Sequence, residues 1–300
     1  MIIKVMSYNV LRWEGDNSMA SIQDIAFEYG VDIVGIQEWG YTEAKTINGT
    51  NCITYLNNKG YPYVSVTSKD YNHKAIASKY VLKDMEETVY TQSIETRSYT
   101  KCYVTIGGQK VALFNTHTDY QLNSTVKFAQ IQEILEAVGE EEYFILIGDL
   151  NTTCTEKSET EYENCVQPFI DAGYNVANSS VGDDLIWTYY NGKTVELSTQ
   201  ITPPDNIITS ANISINNVHT INTKLEDNTG YVIDHLPLVA DLVIYEKPYN
   251  FNNSFLFSTY QRFAGLSTDE KPTPQGNAIF LELDTAKTYY YKNGAWSILG

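Results

Sequence analysis

Three hundred residues suffice for one large core, or one core plus a small appendage, and 43% apolar with 19% charged residues is the balance of a folded chain. A formal charge of -17 disfavours a polyanion gripped by a broad basic surface, but it leaves open phosphate chemistry in which divalent cations bring the positive charge. No apolar run reaches the roughly 18 residues of a membrane-spanning helix. The opening MIIKVMSYNV is too short and too strand-like for a signal peptide, so a cytoplasmic chain, or one exported without a Sec-type signal, is expected.

In chain order, residues 2–10 read as a strand ending in Ser7-Tyr8-Asn9. Asp16 or Asn17 then caps a helix with Ile22, Ile25, Ala26 and Tyr29 at i, i+3, i+4 and i+7, and Gly30 stops it. Residues 31–36 form a second apolar strand that ends in Gln37-Glu38. The chain thus opens as β-α-β with polar groups at two strand ends. Extended segments follow between Tyr61 and Tyr90. Residues 101–106 and 110–115 are joined through Gly107-Gly108, a hairpin signal, and the second ends in Thr116-His117. Asn123 or Ser124 caps a helix whose face carries Phe128, Ile131, Ile134, Leu135 and Val138, stopped at Gly139.

Residues 143–153, YFILIGDLNTT, are the centre of the pattern. The apolar run has the length of a buried strand, and Asp149 and Asn151 follow at i, i+2, which places both on one face of an extended chain. Shorter strands are expected at 185–190, 206–210 and 213–218, and the last one, 236–245, follows Ile233-Asp234-His235. Strands with interspersed helices imply an α/β protein with a mixed sheet. Cys154 and Cys165 flank a polar loop and would close a small disulfide in an oxidising setting; free thiols are the expectation. No CxxC pair is present, so a zinc site is not expected.

Asn9, Glu38, His117, Asp149 with Asn151, Asp205 and Asp234-His235 all stand at strand ends. Acids and amides without zinc-like spacing suit a hard divalent cation, with histidine as acid or base. Taken together, SYNV, IQE, NTHT, IGDLNTT, PPDNIITS and IDHLPLVADL resemble the endonuclease/exonuclease/phosphatase superfamily, the deoxyribonuclease I-like fold, over roughly residues 1–245. The resemblance implies a four-layered α/β sandwich of two packed mixed β-sheets flanked by helices. It also implies Mg²⁺ or Mn²⁺ as cofactor, with Glu38, Asn9 and Asp234 on the metal side. By the same resemblance Asp149 and Asn151 position the attacking water, Asp205 orients His235, and His117 binds the phosphate or protonates the leaving group. Arg97 matches an arginine that contacts the substrate phosphate. His73 and His219 belong to no motif and receive no role.

Composition changes near Lys247-Pro248, which sets domains at 1–246 and 247–300. The second is read as a small C-terminal β-module with a hairpin turn at Asn293-Gly294, and it resembles a short module of bacteriophage structural proteins, which implies a virion-associated alternative and docking to another protein. The function implied for the first is metal-dependent phosphodiester hydrolysis of a nuclease type on nucleic acid, without membrane insertion. A phosphomonoesterase or phospholipase C/sphingomyelinase-like activity is the alternative within the family, and a phage attachment protein without turnover is the alternative outside it.

Overall fold

The structure, a computed structural model, describes residues 1–13, 26–40, 46–47, 50–121, 125–152, 164–179, 186, 188–190, 201–223, 233–245, 261–265, 267–268, 271, 273, 278–282, 287–292 and 295–298. The predicted cap of the first helix at Asp16 or Asn17, the cap at Asn123 or Ser124, Cys154 and the turn Asn293-Gly294 lie outside them. Two compact units divide the chain, Met1–Glu246 and Lys247–Gly300.

In the first unit the strands are β1 (Ile2–Asn9), β2 (Ile33–Gln37), β3 (Thr46–Ile47), β4 (Thr50–Asn51), β5 (Tyr63–Thr67), β6 (Lys74–Ser78), β7 (Lys83–Val89) and β8 (Ser98–Ile106). They continue as β9 (Gln109–His117), β10 (Phe144–Asp149), β11 (Asn175–Val176), β12 (Tyr189–Tyr190), β13 (Ile201–Thr202), β14 (Asp205–Thr209), β15 (Ile213–Thr220) and β16 (Leu238–Ile244). Helices α1 (Cys52–Asn58), α2 (Thr125–Gly139) and α3 (Gln167–Asp171) lie among them. One six-stranded sheet has the order β15-β16-β1-β2-β6-β5, the other β11-β14-β10-β9-β8-β7. Both are mixed: β1 runs parallel to β2, and β10 parallel to β9, while their other neighbours are antiparallel. β8 and β9 meet at Ile106↔Gln109, and the two glycines between them take φ of 56° and 78°, as a tight hairpin turn requires.

Period-two alternation sorts the apolar side chains into layers. Ile3 and Val5 of β1, Ile33 of β2, Val111 and Leu113 of β9, Ile145 and Ile147 of β10 and Ile207 of β14 fill the space between the sheets. The alternate residues Met6 and Tyr8 pack on the outer side with Phe27, Leu56 and Trp39. Phe144, Leu146 and Ile208 pack against Ile131, Ile134 and Val138 of α2 and Phe169 of α3. The result is two packed mixed sheets with few helices. The sheets approach closely at Gly35, where an added Cβ would stand 2.5 Å from Ile147.

The buried stripe of α2 differs from the predicted one. Lys127, Gln130, Ile131, Ile134 and Val138 are buried, while Phe128 and Leu135 are half-buried. Two polar side chains face inward because each caps backbone of the neighbouring loops: Lys127 Nζ donates to the Asn151 carbonyl (2.8 Å), and Gln130 Nε2 to the Gln92 carbonyl (2.9 Å).

The second unit holds a four-stranded sheet, β17 (Gln261–Gly265), β18 (Ala278–Glu282), β19 (Thr288–Lys292) and β20 (Ala295–Ile298), in that order. β17 is parallel to β18 and the remaining pairs are antiparallel. Buried Phe280 meets the Trp296 ring at 5.9 Å, and Tyr291 meets it at 5.1 Å.

Candidate active site

The alternation that fills the inter-sheet core also builds the site. Two residues beyond Ile147 on the same face of β10 comes Asp149; on β9 the Val111, Leu113 series continues through Asn115 to His117, and on β14 Ile207 is preceded by Asp205. Register aligns the three, since Asp149 pairs with His117 on one side and Asp205 on the other. From the facing sheet, β1 extends its inner series to Asn9, paired with Gln37 of β2. An apolar core therefore ends in a layer of carboxylates, amides and imidazoles. A polar layer lies one step inside it: Gln37 Nε2 donates to Asn115 Oδ1 (2.7 Å), and Asn115 Nδ2 to the carbonyls of Ile36 (3.0 Å) and Ala75 (2.8 Å).

Asp149 is the hub. Asn9 Nδ2 donates to its Oδ2 (3.0 Å) and to Glu38 Oε1 (3.2 Å), while Asn9 Oδ1 accepts from the Leu11 N–H (3.0 Å). Asn9 is thus a clamp between two carboxylates, with one lone pair of its oxygen taken by the Leu11 N–H. His117 Nε2 stands 3.6 Å and His235 Nε2 3.7 Å from Asp149 Oδ2. The strand ends at Asp149, so Asn151 does not share its face as an extended chain would require. Asn151 takes φ 49° and turns back, donating its N–H to Asp149 Oδ1 (2.9 Å) and its Nδ2 to the Thr118 carbonyl (2.9 Å). Glu38, just past β2, also takes a positive φ of 50°, a conformation L residues adopt at some cost and that recurs at functional sites.

The two histidines are set differently. His235 Nδ1 donates to Asp205 Oδ2 (2.8 Å); burial opposes its charge, but Asp205, that hydrogen bond, Asp149 and Asp234 outweigh it and push the imidazole up to about 10. Burial and the Arg97 guanidinium instead hold His117 well below the usual histidine range. One site therefore contains a cationic and a neutral imidazole, the separation that assigns different proton duties to like groups. Burial pushes the carboxyls of both Glu38 and Asp149 up, the mark of carboxylates held in a dry site.

Four carboxylates, those of Glu38, Asp149, Asp205 and Asp234, fit a hard divalent cation. Glu38 and Asp149 share the Asn9 amide as a donor, and ligand atoms of Asp149, Asp205 and His235 fall within 4.8 Å of one another. The buried Oδ1 atoms of Asp205 and Asp234 accept no hydrogen bond among the described residues. Oxygen donors of this kind suit Mg²⁺ or Mn²⁺ better than zinc. His235 would join them only after giving up a proton that Asp205 and Asp149 hold on it. Asp234 makes no hydrogen bond to Asn9 or Glu38; it acts on His235 and Tyr8 through its charge.

Arg97 departs from its expected role as a substrate contact. It is 2% exposed, with Nη1 3.0 Å from His117 Nδ1 and Nη2 donating to Glu95 Oε2 (2.9 Å), so in this structure it backs His117 instead of facing a phosphate. A partly exposed cation, Arg12, stands with Nε 3.7 Å from Glu38 Oε2. Sequence reading passed over Arg12, Lys127, Asn115 and Thr188, whose Oγ1 accepts from the Asp205 N–H (3.3 Å) and whose carbonyl accepts from the Leu236 N–H (2.8 Å). Inward parity on β9 would have found Asn115; the others carry no local signal. His219 lies on the exposed side of β15 against the Tyr29 hydroxyl (2.7 Å), away from the cluster.

The same architecture occurs in solved structures. D. rerio TDP2 complexed with single strand DNA product shares it at a TM-score of 0.63 and 18% identity, over 81% of this chain and 99% of that one. Truncated Caenorhabditis elegans TDP2 does so at 0.62 and 18%, over 81% and 97%. An endonuclease/exonuclease/phosphatase family protein from Bacteroides thetaiotaomicron matches at 0.62 and 16%, over 82% and 96%. No curated protein sequence matches the chain. The pattern of the Endonuclease/Exonuclease/phosphatase family runs through residues 6–158, from β1 past the Asp149 hub, and the chain belongs to that family.

Proposed function

We propose that the protein is a divalent-metal-dependent phosphodiesterase of nuclease type, with Mg²⁺ or Mn²⁺ as its cofactor. The observation that carries this reading is the convergence of Asn9, His117 and His235 on Asp149 at the end of the inter-sheet core, with Glu38 joined to it through Asn9. When bound through Glu38 and Asp149, the cation supplies the positive charge that offsets negative charge building on the phosphate oxygens. Asp149, kept in place by Asn9 and the Asn151 N–H, accepts a proton from the attacking water. His235, held by Asp205, presents an N–H to a phosphate oxygen. His117 presents the second through Nε2. The dry surroundings strengthen each of these contacts.

A nucleic-acid substrate is supported by the single strand DNA product held by the D. rerio relative. The charge of -17 favours a small or lipid phosphoester as the second reading, because a long polyanion needs local cations to approach. Purified protein offered single-stranded DNA, plasmid DNA, RNA, sphingomyelin, inositol phosphates and bis-p-nitrophenyl phosphate separates the two. Hydrolysis is expected with Mg²⁺ or Mn²⁺ and none in EDTA; undiminished turnover in EDTA would sink the mechanism.

A further inference from the structure

We infer that Arg97 is a positioning residue that decides which ring nitrogen of His117 carries the proton, aiming an Nε2–H at Asp149 and the phosphate beside it. The part His117 plays in turnover rests on the phosphodiesterase reading, whereas its tautomer is a property of the resting protein.

Arg97 Nη1 lies 3.0 Å from His117 Nδ1. A guanidinium has five N–H donors and no acceptor, so Nδ1 must offer its lone pair and the proton must sit on Nε2. The surroundings of Nε2 agree, because carboxylate oxygens lie on its side: Asp149 Oδ2 at 3.6 Å and Glu38 Oε1 at 4.0 Å. His235 is wired the opposite way, through an Nδ1–H donated to Asp205. The site therefore holds one imidazole behind a carboxylate and one behind a guanidinium.

The guanidinium is itself held from three sides. Nη2 donates to Glu95 Oε2 at 2.9 Å, Nε stands 3.8 Å from Asp119 Oδ1, and Nη1 stands 3.8 Å from Asp70 Oδ1. Asp119 accepts the Ile94 N–H (2.9 Å) and Gln130 Nε2 (2.8 Å). Asp70 accepts Lys74 Nζ (2.8 Å) and the Ser98 N–H (3.0 Å). This network, buried at Asp70 and Asp119 and half-buried at Glu95, fixes the direction of the Arg97 fork, and a fixed fork fixes the imidazole. A charge needed only for core stability would not have to end on the acceptor nitrogen of a site histidine.

Nitrogen-15 NMR of the full chain, with the His117 ring assigned by comparison with His117→Gln, tests the tautomer without touching Arg97. A proton on Nε2 and a bare Nδ1 are expected; a proton on Nδ1 overturns the inference. Kinetics test the role. Arg97→Lys and Arg97→Met are expected to lower kcat roughly 10- to 100-fold, as for other hydrogen-bond partners that orient site imidazoles, with KM little changed. In a His117→Gln background Arg97→Lys should cost nothing further; an equal loss in both backgrounds shows that Arg97 acts independently of His117 and overturns the inference. Failure of the wild type to hydrolyse any phosphodiester overturns the hydrolase reading alone, since the NMR result still decides the tautomer.

Discussion

Asp149 joins the elements of the site: the Asn9 amide and the Asn151 N–H donate to its two oxygens, and the His117 and His235 imidazoles stand 3.6 and 3.7 Å from one of them. Asp149→Ala is expected to lower turnover by at least about 100-fold while circular dichroism shows a folded protein, the scale of losing a base or an electrostatic stabiliser. His219→Ala, which loses only an exposed contact to Tyr29, should stay close to wild type. Equal damage from the two would mean that the site has been placed on the wrong residues. The Asp205–His235 pair also makes stability depend on pH. A histidine whose folded value is raised above the ordinary 6.5 adds its stability in full below 6.5 and loses it as pH rises through about 10. In EDTA, the gap in unfolding free energy between wild type and Asp205→Asn should therefore shrink from pH 6.5 to 10. A gap that widens over that range contradicts the pairing.

At the level of elements, the site is the last step of a packing pattern, so changes to packing should reach it. Gly35 is the test position: its missing side chain lets β2 lie over β10, and an added Cβ would meet Ile147 side-chain carbons at 2.5 and 2.8 Å and Asn115 Oδ1 at 3.2 Å. Gly35→Ala should cost roughly 1–3 kcal/mol, the usual range for overpacking a close-packed core, which lowers Tm by about 2–4 °C per kcal/mol in a unit of this size. An unchanged Tm would mean that the sheets part freely there. The strands β1, β2, β9, β10 and β14 were legible because alternation and β-branched runs are local signals, and Asn9, His117, Asp149 and Asp205 were legible as polar ends of those runs. Asn151 was misplaced because a strand was extended past the residue where the backbone turns left-handed. The inward Lys127 and Gln130 were missed because hydrophobic periodicity cannot show a polar group whose partner is a loop carbonyl. Arg97 was read as facing substrate because its pairing with His117 spans 20 residues and three carboxylates that no spacing rule connects.

For the whole molecule, the question is whether the first unit needs the second. Both six-stranded sheets are composed only of strands from β1 to β16, and β16 sits between β15 and β1, so the sheet that begins the chain is closed by Ile244. Every site residue from Asn9 to His235 lies before that point, and the three apolar layers around the sheets are filled by residues of the same unit. The strands β17 to β20 pair among themselves. A fragment Met1–Glu246 should therefore unfold in one cooperative transition and keep the metal-dependent rate of the full chain, because this unit carries both six-stranded sheets and every site residue. Limited proteolysis offers the same test on the intact protein, with cleavage expected near the boundary and a persistent, active N-terminal product. A fragment that fails to fold, or that folds without activity, would show that residues 247–300 complete the sandwich or its site.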